Sequence, residues 1–256
     1  MKKYDGLEQA MIERFAPNPG RKPLLPELSD KAQVALMCRM LFREGWNEHI
    51  AGHITYRLEN GNILTNPWEL AWDELTASDI VTLDHQGKII ESDWNITPAI
   101  GLHIQLHALR PDANVVIHNH AHWSGIWANL QRVPPIYDQT GAHCGADLPL
   151  YNEYAGTFED KATSLSAAEA LGSAKWALLA NHGSLVVGKD LRQAHLRAIT
   201  LEWRSKRAYE VELAGGAEPL SKEAIEQVAI TDANGFPFCW EAMARRELRR
   251  DPTVCE

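Results

Sequence analysis

Apolar and polar residues alternate along this chain with two different periods, and the switches between them mark the elements. Behind the polar pair Ser29-Asp30, the residues Val34, Met37, Leu41 and Phe42 fall on one helical stripe that Gly45 can stop, which predicts a first helix. Strand-like segments follow at Gly52 to Arg57 and Gly61 to Thr65, with Glu59-Asn60-Gly61 as the hairpin turn. A second pair, Ile80 to Leu83 and Lys88 to Ile90, flanks the turn Asp84-His85-Gln86-Gly87. Thr97-Pro98 supplies a polar cap and a first-turn proline for a helix to Leu109, which Arg110-Pro111-Asp112 ends. A buried-type strand leads to His118, then a helix runs from about His122 to Leu130. Beyond Pro134-Pro135 the chain reads as irregular until a helix within Phe158 to Leu171. The apolar run from Trp176 to Ala180 predicts another strand with a partner at Ser184 to Val187, and Gly188-Lys189-Asp190 caps a long helix through Leu213. Hairpins interleaved with helices predict a mainly antiparallel sheet covered on both faces, whereas a simple βαβ repeat does not fit.

With 256 residues and 45% hydrophobic content, the chain can bury one large core. The Pro/Gly-rich patch from Ala16 to Pro26 reads as part of an N-terminal arm over residues 1–26, leaving 27–256 as a single folded unit with a C-terminal helical extension. A formal charge of -9 argues against nucleic acid as the main partner. The cations Arg245-Arg246 and Arg249-Arg250 read as the solvated face of a last helix. No apolar run is long enough for a membrane span, and no signal-peptide core follows Met1-Lys2-Lys3. Cys38, Cys144, Cys239 and Cys255 lack metal-knuckle or disulfide spacing and fit reduced thiols in a cytoplasmic protein.

The chemistry-bearing signal is histidine. His118 and His120 end an apolar strand at i and i+2, so their side chains share one face. With 11 histidines in the chain such a pair carries little by itself. A third, His182, follows the equally strand-like run Trp176 to Ala180, and Gly183 after it permits close approach of another backbone. Two neighbouring strands ending together would bring His118, His120 and His182 to one point, three nitrogen ligands with an open position, which is the arrangement of a catalytic metal. His103 and His107 lie at i and i+4 on a helix whose Leu102, Leu106 and Leu109 mainly pack, and His107 reads as a core or surface histidine.

Four motifs in order, Gly52-His53-Ile54-Thr55-Tyr56-Arg57, Arg110-Pro111-Asp112, His118-Asn119-His120 and Asn181-His182-Gly183, resemble the class II aldolase/adducin family over about residues 30 to 215. The resemblance implies a three-layer α/β/α fold and a homotetramer with sites between subunits. It also implies a zinc-like divalent ion on the three histidines, with Mn2+, Fe2+ or Co2+ as alternatives. The departures are informative too. The sugar-phosphate aldolases of the family carry an acid/base glutamate where this chain has Ala99, four residues before His103. They have phosphate-binding residues where it has Trp68-Glu69 and Thr97-Pro98, and an asparagine where it has His53. A carboxylate beside a phosphate dianion is repulsive, so Glu69 argues against a sugar-phosphate substrate.

The sequence is similar, in its Gly52-His53-Ile54-Thr55 and Pro98-Ala99 signatures, to the branch containing dihydroxyphthalate-type decarboxylases. The leading expectation is therefore a metal-dependent lyase that decarboxylates a hydroxylated aromatic acid, with the metal as electron sink. His53 is the first candidate proton donor, because imidazole titrates near neutrality, and Glu69 the second. Trp68 suits an aromatic ring by stacking, and Thr97 and His103 are candidate substrate contacts. Alternatives are a retro-aldolase or dehydratase on an unphosphorylated hydroxy-acid, an iron-dependent oxygenase, or a non-catalytic module similar to the adducin head.

Overall fold

The structure, a computed structural model, describes residues 22–152, 158–234 and 236–256 together with Ala10, Glu13, Asn18, Gly20 and Gly156. Most of the expected arm over residues 1–26 lies outside the described residues. The elements run α1 (Asp30–Arg43), β1 (His53–Arg57), β2 (Ile63–Thr65), β3 (Val81–Leu83), β4 (Ile89–Glu91), α2 (Gly101–Leu109), β5 (Val115–Asn119) and α3 (His122–Leu130). They continue with β6 (Leu150–Tyr151), α4 (Lys161–Leu171), β7 (Trp176–Leu179), β8 (Gly183–Gly188), α5 (Leu191–Leu213), α6 (Lys222–Ala229), α7 (Thr231–Asn234) and α8 (Pro237–Arg250).

Local chemistry explains most boundaries. Ser29 caps α1 by accepting from the Ala32 amide, and Asp190 caps α5 by accepting from that of Gln193. In the β1–β2 hairpin, Gly61 takes a positive φ that a Cβ would resist. The strands form one eight-stranded sheet in the order β4-β3-β2-β1-β5-β8-β7-β6. Every neighbouring pair is antiparallel except the last, β6 and β7. β6 falls in the stretch read from the sequence as irregular. At two residues it is too short for periodicity to reveal it.

The pleat sorts residues to two helical layers. Ile54, Val115, Ile117, Trp176, Leu178 and Val186 pack with α1, α3, α5 and α8 on one face. Val116, Ala177, Leu179, Leu185 and Val187 pack with α2 and α4 on the other. Burial of α5 is completed by an ion pair: Arg197 donates to both carboxylate oxygens of Asp232 at 2.7 and 2.9 Å and to the Val187 carbonyl at 2.6 Å. The C-terminal apolar stretch finds its cover within the chain: Trp240 is 2% exposed, and Phe236 and Cys239 pack partly against the main core. These residues therefore give no separate reason for subunit association.

β8 turns into α5 with no spare space. A Cβ on Gly188 would meet the Ala194 main chain at 2.7 Å and its Cβ at 2.8 Å. Gly188→Ala is expected to destabilise the protein by about 1–3 kcal/mol through overpacking, read as a lower urea midpoint at unchanged m-value.

Candidate metal centre

The register of β1, β5 and β8 assembles the histidines. In β5, Val116 and His118 face the α2 layer, and His120 continues this alternation just beyond the strand. His53 of β1 pairs directly with His118, so their side chains share that face. His182 enters differently from the expectation. β7 is not the neighbour of β5; β8 lies between them, and His182 sits in the turn that joins β7 to β8. This turn works because Asn181 takes a positive φ of 55° and Gly183 has no side chain. A Cβ on Gly183 would come within 2.5 Å of the Asn119 carbonyl oxygen and 2.9 Å of His120 Cδ2.

One ligand-type atom from each of His118, His120 and His182 lies within 4.8 Å of the others. The ring centroids are 5.2 Å apart for His118 and His120, 4.8 Å for His118 and His182, and 4.9 Å for His120 and His182. His118 donates from Nδ1 to the Ser184 carbonyl at 3.0 Å, which leaves Nε2 with a lone pair. Glu48 Oε2 lies 2.9 Å from His120 Nδ1, favouring a proton there and a free Nε2. Burial holds His118 well below the ordinary imidazole range and His182 at about 4, so both offer neutral nitrogens at neutral pH. Phe158 stacks on His182 at 5.5 Å, and Glu202 fixes the segment after His120 by accepting from the Trp123 and Ser124 amides at 3.0 and 2.7 Å. Neutral nitrogen donors, converging and oriented by partners on their far side, fit a divalent ion such as zinc.

Two further histidines join this cluster. The His53 ring lies 5.1 Å from that of His118 and 4.4 Å from that of His103. The main chain on either side of His53 is held by Asn66, which accepts from the Ile54 amide and donates to the Gly52 carbonyl, and by Trp72, which donates to that same carbonyl. Burial pushes His53 down to about 3; the Ala51 main chain opposes this, and His120 and His182 add to it. The expectation that His53 titrates near neutrality is thus corrected: desolvation keeps the ring uncharged. His103 and His107 are both buried and share Thr55, whose Oγ1 is 2.9 Å from His103 Nδ1 and 2.8 Å from His107 Nε2. His107 is therefore part of a polar chain rather than simple packing.

The other sequence candidates are placed differently. Glu69 is exposed, and its carboxylate accepts from the Asn95 amide at 3.1 and 3.2 Å and from Asn95 Nδ2 at 2.6 Å. Partial desolvation raises its carboxyl, but the Asn95 hydrogen bonds outweigh this and hold it below the usual range. Trp68 is 43% exposed on the same loop, and its amide donates to the Asn95 carbonyl. Among the described residues, no hydrogen bond or ring contact joins either one to the imidazole cluster. Thr97 caps the turn into α2 by accepting from the Ala99 amide, and Ala99 itself lies half-buried in that turn. The sequence reading gave Glu48, Thr55, Ser184 and Glu202 no part in the site. Only Thr55 carried a signal, two residues from His53 on the same strand face.

Replacing His118, His120 or His182 with alanine is expected to remove most bound divalent metal, measured by elemental analysis. Glu48→Gln should weaken metal affinity by roughly 10-fold or more while leaving the stoichiometry intact, measured by competition with a chelator. The buried His53 and His195 are both held at about 3, so they take up protons far less readily than in the unfolded chain, where they titrate near 6.5. Their contribution to stability is complete above about pH 6.5 and declines as pH falls toward about 3. The urea midpoint of metal-free protein should accordingly be lower at pH 5 than at pH 7.5.

Comparison with known proteins bears on the family of the chain. The family described as "Class II Aldolase and Adducin N-terminal domain" matches residues 32–209. L-fuculose phosphate aldolase of Escherichia coli K12 is 32% identical over 168 residues, 63% of this chain and 74% of that protein. A Pseudomonas aeruginosa protein named only as an aldolase class 2 protein is 30% identical over 245 residues, covering 88% and 92% of the two chains. The crystal structure of an aldolase II superfamily protein from Pseudomonas syringae superposes with a TM-score of 0.78 at 25% identity, covering 88% of this chain and 94% of that one. The helical layers, the mostly antiparallel sheet and the extent of the sequence match together show that this chain belongs to the class II aldolase and adducin family.

Proposed function

We propose that the chain is a metal-dependent carbon–carbon lyase acting on a small hydroxylated acid, in first place a decarboxylase of a hydroxylated aromatic carboxylate. His118, His120 and His182 would hold the divalent ion. When bound, such an ion supplies Lewis-acid stabilisation of negative charge developing on the substrate. The observation that carries the reading is the pairing of this three-imidazole cluster with a methyl group, Ala99, at the position where the family's sugar-phosphate aldolases are expected to carry a proton-transferring glutamate. Alanine moves no proton. The loop corresponding to their phosphate site presents Trp68 and the anionic Glu69, which Asn95 pins in place.

In this reading His53 holds the proton that replaces the departing carboxyl group. Alone, the buried ring is neutral, but a substrate carboxylate brought beside it raises its proton affinity by Coulomb attraction, the charge complement that burial withholds. Asn66 and Trp72 fix the main chain on which His53 is carried. The second reading, retro-aldol cleavage of an unphosphorylated hydroxy-acid, shares its reaction, though not its substrate, with relatives named L-fuculose phosphate aldolase and 5-methylthioribulose-1-phosphate/5-deoxyribulose-1-phosphate aldolase, the latter from Rhodospirillum rubrum. Family membership also supports a cytoplasmic homotetramer with sites completed by a neighbouring subunit; among the described residues no helix is long and apolar enough to cross a membrane.

The test is incubation of metal-loaded protein with hydroxybenzoates, hydroxyphthalates, aliphatic hydroxy-acids and sugar phosphates, with carbon dioxide and aldehydes measured separately. Carbon dioxide release from a hydroxylated aromatic acid is expected, with little sugar-phosphate cleavage, since loss of a positioned acid/base typically lowers rates by about 10²–10⁴-fold. Ala99→Glu should not restore that cleavage. Robust cleavage of a sugar phosphate without any decarboxylation would put the aldolase reading first.

A further inference from the structure

We propose that His103 is a substrate-binding residue whose Nε2 is locked as a bare hydrogen-bond acceptor by the chain Ala113–His107–Thr55–His103, and that it receives a hydrogen bond from a hydroxyl group of the substrate. The inference deepens the lyase reading and rests on it for the identity of the site, but its argument is independent of which bond is broken.

The direction of every hydrogen bond in the chain follows from its far end. The Ala113 carbonyl can only accept, and it lies 2.7 Å from His107 Nδ1, so His107 carries its proton on Nδ1. Burial holds His107 at about 4; the Ala113 carbonyl opposes this, and Arg57, which also donates to the His107 carbonyl, adds to it, so the ring is neutral and its Nε2 has a lone pair. Thr55 Oγ1, 2.8 Å from that nitrogen, must donate to it. A hydroxyl has one proton, so at its second contact, 2.9 Å from His103 Nδ1, Thr55 accepts and His103 donates. The proton of a neutral His103 is thereby on Nδ1, and Nε2 is left bare. Reversing the chain would require the Ala113 carbonyl to donate, which it cannot do.

That bare nitrogen is fully buried and has no hydrogen-bond partner in the protein. Native structures seldom leave such an acceptor unsatisfied, and where they do, a ligand or water is the usual reason. His53, whose ring is 4.4 Å from that of His103, presents a second buried nitrogen without a partner, Nδ1, which the Ala51 main chain approaches without completing a hydrogen bond and which, carrying the ring proton, can donate. A hydroxyl both donates and accepts, and can therefore serve two adjacent imidazole nitrogens where an ether or a bare carbon cannot. The His53 ring lies 4.4 Å from that of His103 and 5.1 Å from that of the His118 ligand, so a hydroxyl held at His103 and an acidic group at the metal ligands are close enough to belong to one small substrate. Hydroxy-acids, aromatic or aliphatic, have this pairing of groups.

Two measurements test the proposal. In 15N-histidine NMR of the protein, His103 should appear as the neutral Nδ1–H form with an unprotonated Nε2, and Thr55→Val should abolish this fixed pattern. Calorimetric binding to zinc-loaded protein should favour 2-hydroxybenzoate over 2-methoxybenzoate, or glycolate over methoxyacetate, by about tenfold or more, the size of one well-formed hydrogen bond. His103→Asn, which keeps a polar group near Nδ1 and removes the acceptor at Nε2, should erase this preference. His103→Gln, whose amide oxygen reaches the Nε2 position, should keep much of it. An Nε2–H tautomer, absence of any preference in the unmodified protein, or an unchanged preference in His103→Asn would overturn the inference. Failure to release carbon dioxide with the hydroxyl preference intact would instead count against the decarboxylase reading alone.

Discussion

The close approach of the β7–β8 turn to the end of β5 is the constraint on which the candidate centre depends. His182 comes from a turn separated in the sheet from β5 by β8, so no direct strand pairing aligns it with His118 and His120. Instead, Asn181 accepts a left-handed conformation and Gly183 yields the space in which the Asn119 carbonyl and the His120 ring sit. Any side chain at Gly183 would push the turn away, and the three imidazoles would no longer share one point. The same economy of space holds on the other side of β5, where a Cβ on Gly52 would collide with the Asn119 side chain and the Trp72 ring.

Given that geometry, burial decides the electrostatics. Five imidazoles cannot be charged together in a dry cluster, and desolvation keeps His53, His103, His118 and His182 below their ordinary range. Neutral rings are ligands and hydrogen-bond partners, and what each does is set by the group on its far nitrogen. Ser184 orients His118, Glu48 faces His120, and Thr55 faces His103. Much of the polar interior near the sheet's end can thus be understood as scaffolding for imidazole orientation, with Asn66 and Glu202 holding the adjoining main chain.

The relation to the sugar-phosphate aldolases is one of shared framework and altered periphery. The sheet, its covering helices and the three histidines carry the family likeness. Where the resemblance places phosphate-binding and proton-shuttling residues, this chain is expected to carry Trp68, Glu69 and Ala99 instead. Glu69, a candidate for proton transfer from the sequence, has its carboxylate held by Asn95 at the surface. Under the proposed function, the chemistry falls to the imidazoles.

The sequence by itself determined the main helices, most strands and the shared face of His118 and His120, because these depend on periods of 3.6 and 2 and on capping residues within a few positions. It also indicated the antiparallel, helix-covered sheet, since hairpin turns such as Asp84 to Gly87 are local. Two-residue β6 lacked enough length to leave a period. Tertiary structure alone decided that β8 separates β5 from β7, that Trp240 is covered within the chain, and that Glu69 turns to Asn95. It alone joined Thr55 to His103 and His107, residues about fifty positions away. Hydrogen-bond direction and burial depend on groups meeting across the fold, and a linear pattern of side chains contains no record of such meetings.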